Sequence, residues 1–149
     1  MEKRNLKKTL KEDDVALIHW NDAMSVNVGV IDDQHKQLIA MINQLNDAML
    51  LGKGNEVLGK IISSLVAYTV THFKLEETYF AQFKYPGTQE HMEEHASFVK
   101  KAMQLKEDFE KKKLSITIDV MDFLSDWLKN HIMGTDKKYS GFFNANGLK

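Results

Sequence analysis

The sequence predicts an all-α protein, an antiparallel up-down-up-down four-helix bundle with an extended N-terminal arm. Three observations lead there. The 149 residues hold one proline and eight glycines, so little interrupts regular helix. Four long segments repeat apolar residues at intervals of three and four. The breaks between them are short, which forces successive helices to run antiparallel.

The elements follow in order. Residues 1–18 read as a charged N-terminal extension and residues 19–149 as one domain. "IHWNDAMSVNVGV" at 18–30 alternates like a strand but has no partner strand, so extended chain packed on the bundle is expected. In the first helix His35, Leu38, Ile39, Ile42, Leu45 and Met49 share a stripe. Asp32 is its expected N-cap, and Gly52 and Gly54 end it. In the second, Leu58, Ile61, Ile62, Leu65, His72, Glu76, Phe80 and Phe83 share a face after Asn55 as cap, and "YPG" at 85–87 stops it. In the third, Thr88 can cap a run through His91, His95, Phe98, Ala102, Leu105 and Phe109, with "KKK" at 111–113 suiting a helix C-terminus. In the fourth, Val120, Leu124, Trp127 and His131 continue the pattern, and Gly134 is expected to break it.

Composition narrows the function classes. The apolar fraction of 43% and charged fraction of 28% are ordinary for a globular protein. A net charge of −1 gives no reason to expect nucleic acid or an anionic membrane as partner. With no cysteine there is neither a disulfide nor a thiolate metal site. No apolar run suits a signal peptide or a membrane span, so a cytoplasmic protein is expected.

The histidines carry the functional signal. Of six, His35, His72, His91, His95 and His131 lie on the apolar stripe of their helix. A lone inward histidine is usually a satisfied core residue. Five on four helices would leave about ten ring nitrogens to satisfy in an apolar core. A metal takes one nitrogen of each ring, and an outer group can take the other. In an antiparallel bundle all five fall at the same end. Spacing of four stacks His72 on Glu76 and His91 on His95, one turn apart. A second carboxylate is offered by "HIMGTD", where Asp136 follows His131 by five. Five is a poor spacing on a continuous helix, so the chain is expected to end its helix at Gly134 and turn Asp136 back in. His19, in the arm, reads as a surface or packing residue.

Five imidazoles and two carboxylates exceed what one zinc takes. They suit two six-coordinate first-row ions, and that donor mixture suits iron. Two such ions need about twelve positions. Five nitrogens, two bridging carboxylates and a shared oxo or hydroxo group fill about eleven, leaving one open for a small molecule. Two other readings are weaker. "HMEEH" matches the inverted zinc-peptidase motif with Glu94 as general base, but leaves His35, His72 and His131 unexplained. Ferritin-like di-iron bundles use Glu-x-x-His, whereas the residues three before these histidines are Asp32, Thr69, Thr88, Met92 and Leu128.

The pattern H…HxxxE…HxxxH…HxxxxD resembles the hemerythrin family, specifically its single-domain bacterial members, from about Trp20 to Tyr139. "DDQHK" at 32–36, "HFKLEE" at 72–77 and "DWLKNHI" at 126–132 strengthen the likeness. The resemblance implies that His91, His95 and His131 bind one iron, and that His35 and His72 bind the other, which keeps the open position. It implies bridging by Glu76 and Asp136 with an oxo or hydroxo group, and reversible O2 binding by two-electron transfer. It further implies that Leu38, Phe73, Trp127, Leu128 and Ile132 line the O2 pocket or surround the ligands, although each also reads as plain bundle core. Tyr139 reads either as an outer partner of the site or as a cap on the bundle end.

The resulting expectation is an O2-binding protein for storage, delivery or scavenging rather than an enzyme. The alternatives are an O2 or redox sensor acting through a separate partner, and an enzyme handling peroxide or nitric oxide at the open position. The sequence names no protein partner and is compatible with a monomer.

Overall fold

The computed structural model describes residues 16–112 and 115–149. The order is an N-terminal arm, α1 (Gly29–Leu50), α2 (Asn55–Phe83), α3 (Thr88–Glu110), α4 (Ile118–Asn130), a π-helical turn (His131–Asp136) and α5 (Lys137–Ala145). Helices α1 to α4 form the predicted antiparallel bundle. The expected extension covers residues 1–18, of which 1–15 lie outside the described residues.

The arm is extended and packed, as its alternation predicts. Met24, Val26 and Val28 point inward at a spacing of two, while His19 is exposed. A single 3-10 turn, Asp22–Met24, interrupts it, with the Asn21 side chain accepting from the Ala23 N–H. Ile18 is fixed to α1 by a reciprocal amide pair: its N–H donates to Asn43 Oδ1 and its carbonyl accepts from Asn43 Nδ2, each at 2.9 Å.

Three expected caps fall elsewhere. Helix α1 starts three residues before Asp32, with Val28 in the cap position. The Asp32 carboxylate instead accepts from Ser25 Oγ at 2.5 Å and from the Val26 N–H at 2.8 Å, holding the arm on the first turn. Asn55 and Thr88 are the first helical residues after Gly54 and Gly87, and the Thr88 hydroxyl donates back to the Tyr85 carbonyl.

The larger departure is at Gly134. The helix does not end there. It widens into a π turn and resumes as α5, with the Lys137 N–H reaching the Ile132 carbonyl five residues back. Gly134 sits in helical backbone with open space around it, so it has no steric reason to break the helix.

Two apolar cores result. The main one fills the bundle from Leu45, Leu58 and Phe109 up to Leu38, Phe73, Leu128 and Ile132. The second, at the other side of the histidine level, joins Val26, Val28, Ile31, Phe80, Tyr139 and Phe143. It exists because the π turn lets α5 fold its aromatic residues over the bundle end.

Replacing Asp32 with alanine should cost about 1–3 kcal/mol, because the Ser25 hydroxyl and the Val26 amide lose a charged acceptor. Urea unfolding measures this, and an unchanged midpoint would show that the arm holds without that carboxylate.

Candidate metal centre

The polar layer between the two cores is the site. On α1, His35 lies between Ile31 and Leu38; on α2, Glu76 lies between Phe73 and Phe80; in the last helix, Asp136 lies between Ile132 and Tyr139. Each helix thus runs apolar, polar, apolar along one face. His35, Glu76 and Asp136 are fully buried, and His72, His91, His95 and His131 nearly so.

The structure brings all seven of these side chains together. Glu76, His91, His95, His131 and Asp136 offer donor atoms within 4.8 Å of one another; His35, His72, Glu76 and Asp136 form a second such group. Glu76 and Asp136 belong to both. Asp136 Oδ1 faces Nε2 of His91 at 2.8 Å and of His131 at 3.1 Å, while its Oδ2 faces His35 Nε2 at 3.0 Å. Glu76 Oε1 lies 3.1 Å from His95 Nε2 and 3.4 Å from His72 Nε2.

Spacing explains the convergence. Four residues return a side chain to the same face of an α-helix, as for His72 and Glu76. Five residues would leave Asp136 about 140° from His131 on an α-helix. The π turn bonds five residues apart, so five residues make one turn and Asp136 lands beside His131.

These distances are short, yet the atoms are not hydrogen-bonded. Among the described residues eight buried atoms lack a hydrogen-bond partner: both ring nitrogens of His35, Nε2 of His91, His95 and His131, Glu76 Oε1, and both oxygens of Asp136. Orphaned donors of this density in an apolar interior are costly. Nitrogen and oxygen lone pairs aimed at two shared points are the geometry of metal ligation, so the residues fit a pair of cations.

Sequence reasoning missed the outer partners. His72 Nδ1 meets Gln34 Oε1 at 2.7 Å, His95 Nδ1 meets Glu77 Oε2 at 2.8 Å, and His131 Nδ1 meets Glu94 Oε1 at 2.7 Å. With Nε2 aimed inward, each Nδ1–H donates outward. Glu94, which the peptidase motif cast as a general base, is half-buried and also accepts from the Thr135 hydroxyl in the π turn at 2.8 Å. A signal was available: each partner is the sequence neighbour of a residue of the buried cluster, rotated by about 100° towards the next helix. Tyr139 is an outer partner and a cap at once. Fully buried, it donates its hydroxyl to Glu76 Oε2.

Aromatic rings fix the remaining faces. Phe73 stacks on His95 at 3.8 Å, Trp127 on His131 at 4.5 Å, and Phe98 on Trp127 at 3.9 Å. Leu38, Phe73, Trp127 and Leu128 also line an apolar cavity of about 40 Å³ below the histidines. Ile132 is fully buried in the main core but lies outside that lining.

With this geometry in place, the Hemerythrin HHE cation binding domain family matches residues 26–143. The chain belongs to the hemerythrin family. It is 36% identical to the bacteriohemerythrin of Methylococcus capsulatus, over 88% of this chain and all of that protein. The bacteriohemerythrin of Stenotrophomonas maltophilia is 32% identical (85% and 81% covered), and the hemerythrin-like protein of Naegleria gruberi 32% (83% and 91%). A crystal structure of wild-type hemerythrin superposes with a TM-score of 0.81 at 36% identity, covering 85% of this chain and 97% of that one.

The electrostatics of the metal-free cluster are divided. Burial lowers His72 to about 4, against the pull of Glu76. Burial would lower His131 too, but Asp136 facing Nε2, with Glu76 and Glu94, outweighs it and raises His131 to about 9. Asp136 lies well below its usual range because the facing histidines overcome burial.

Two consequences follow for measurement. His131 is raised on folding, so its contribution to metal-free stability is present below about pH 6.5 and lost as pH rises through about 9. His72 is lowered, so its contribution is present above about 6.5 and lost as pH falls towards 4. Metal-free protein should therefore be most stable between those limits; a urea midpoint flat from about pH 7 to about 10 would contradict a protonated His131. Loading a divalent cation at pH 7 should also displace the His131 proton, a release read by calorimetry in buffers of different ionisation enthalpy.

Proposed function

We propose that this chain binds O2 reversibly at a non-heme di-iron centre. In this reading His91, His95 and His131 hold one iron and His35 and His72 the other. Glu76 and Asp136 bridge them, together with an oxo or hydroxo group. The observation that carries it is the pair of donor groups that share two buried carboxylates, with the inward atoms left without partners. Membership of the hemerythrin family, whose characteristic centre is di-iron and whose ligand is O2, supports the choice of metal and gas. The iron pair would supply the two electrons by which O2 is held and returned.

The chain's own residues do the rest. Three imidazoles on one side and two on the other leave the open position beside His35 and His72. Leu38, Phe73, Trp127 and Leu128 supply an apolar approach that disfavours water and anions. Among the described residues the one polar side chain lining the cavity is Thr69, and its hydroxyl donates to the Leu65 carbonyl at 2.7 Å. No acid or base among the described residues lines the cavity, which favours carrying O2 over turning it over. Neutral imidazoles also stabilise high-valent iron less than carboxylates would. Among the described residues no helix is long and apolar enough to cross a membrane.

Metal analysis should find two irons per chain; a single zinc would exclude the reading. Reduced protein exposed to air should develop a visible charge-transfer band and lose it under vacuum. Irreversible bleaching would point instead to sensing or to turnover of peroxide or nitric oxide. Leu128 is buried, lines the cavity and lies one helical turn before His131, so Leu128→Ala should speed autoxidation. A rate equal to that of the parent would remove Leu128 from the barrier.

A further inference from the structure

The outer partners of the histidines differ in charge. His95 and His131 donate from Nδ1 to carboxylates, Glu77 at 2.8 Å and Glu94 at 2.7 Å. Both histidines belong to the same donor group, with His91. In the other group, His72 donates to the neutral amide oxygen of Gln34 at 2.7 Å, and His35 Nδ1 is buried with no partner. One metal position is thus backed by two anions and the other by none.

A carboxylate on the far nitrogen raises the basicity of an imidazole and adds negative charge close to the metal. Both effects favour the higher oxidation state. Glu77 and Glu94 are only partly exposed, so water does not erase the difference. The two bridging carboxylates are shared and cancel from the comparison.

We infer that Glu77, Glu94 and Gln34 make the two irons electronically unequal, so that the first electron added to the di-ferric pair resides on the iron held by His35 and His72. That iron is the one with the open position. The step is a single electron from a one-electron reductant such as dithionite, converting one ferric ion to ferrous with no bond to the chain made or broken. These three are positioning residues: they act through histidines and do not touch O2. The inference rests on the di-iron reading above.

The test is a spectroelectrochemical titration of the iron-loaded protein, resolving two one-electron steps. Glu77→Gln and Glu94→Gln keep an acceptor on Nδ1 but remove the charge. Each should raise the lower potential by about a tenfold change in the redox equilibrium, which is about 59 mV for one electron, and leave the higher one nearly still. Gln34→Glu adds a charge behind His72 and should lower the higher potential. All three narrow the gap, from opposite sides, which a merely structural role would not do. Equal movement of both steps, movement of the wrong step, or no movement overturns the inference. If a glutamine variant loses iron, Gln34→Glu decides alone: a fall in the higher potential supports the inference and its absence overturns it. Wild-type protein lacking two irons per chain would instead overturn the underlying reading, and the inference with it.

Discussion

Everything in this molecule is arranged around one electrostatic problem: two carboxylates and five imidazoles sit in an interior where unpaired polar atoms are expensive. The fold meets it by geometry. Four helices deliver the side chains to one level, and apolar layers close that level on both sides. Without a cation the inward atoms remain orphaned. The bundle therefore stores the cost of an incomplete centre in its own core, and a bound metal pair would relieve it. This coupling makes metal affinity and folding stability two views of one quantity.

The outer hydrogen bonds show how the helices cooperate. Gln34 on α1 orients a histidine of α2, Glu77 on α2 one of α3, and Glu94 on α3 one at the start of the π turn. Each of these three helices thus carries residues of the buried cluster on one face and, one residue along, the hydrogen-bond partner of the next segment's histidine. A shift of one helix against the next would misplace a cluster histidine and its partner together. The stacked rings of Phe73 and Trp127 make the same demand on the His95 and His131 planes. The quoted motifs gain a physical meaning from this. "HFKLEE" holds a cluster histidine, a ring stacked on another, a carboxylate common to both donor groups and an outer acceptor.

Much of this was legible in the sequence because helical spacing is a strict rule. The histidine stripe, the antiparallel order and the common level all follow from 3.6 residues per turn. The apolar positions Leu38, Phe73 and Leu128 came from the family resemblance, and each lies a residue or a turn from a cluster histidine. The start of α1 was misjudged because the arm competes for its capping group: Asp32 bonds back to Ser25 and Val26. The role of Glu94 was not legible because a half-exposed charged residue in a helix looks the same whether or not a neighbouring histidine uses it. The second core was invisible because the helix was expected to end at Gly134, so Tyr139 and Phe143 were not counted on its stripe.

That miscount exposes a property of the π turn. One extra residue there puts Asp136, Tyr139 and Phe143 back in phase with Leu124, Leu128 and His131 upstream. Elsewhere in the bundle, deleting one residue would rotate everything downstream by about 100° and scatter the stripe. Between His131 and Asp136, the same deletion would convert a π turn to an α turn and keep the phase. The natural ruler of this site is the turn rather than the residue. HxxxE, HxxxH and HxxxxD all state one relation, two side chains a single turn apart. The segment closing the site is thus the one most tolerant of a change in length.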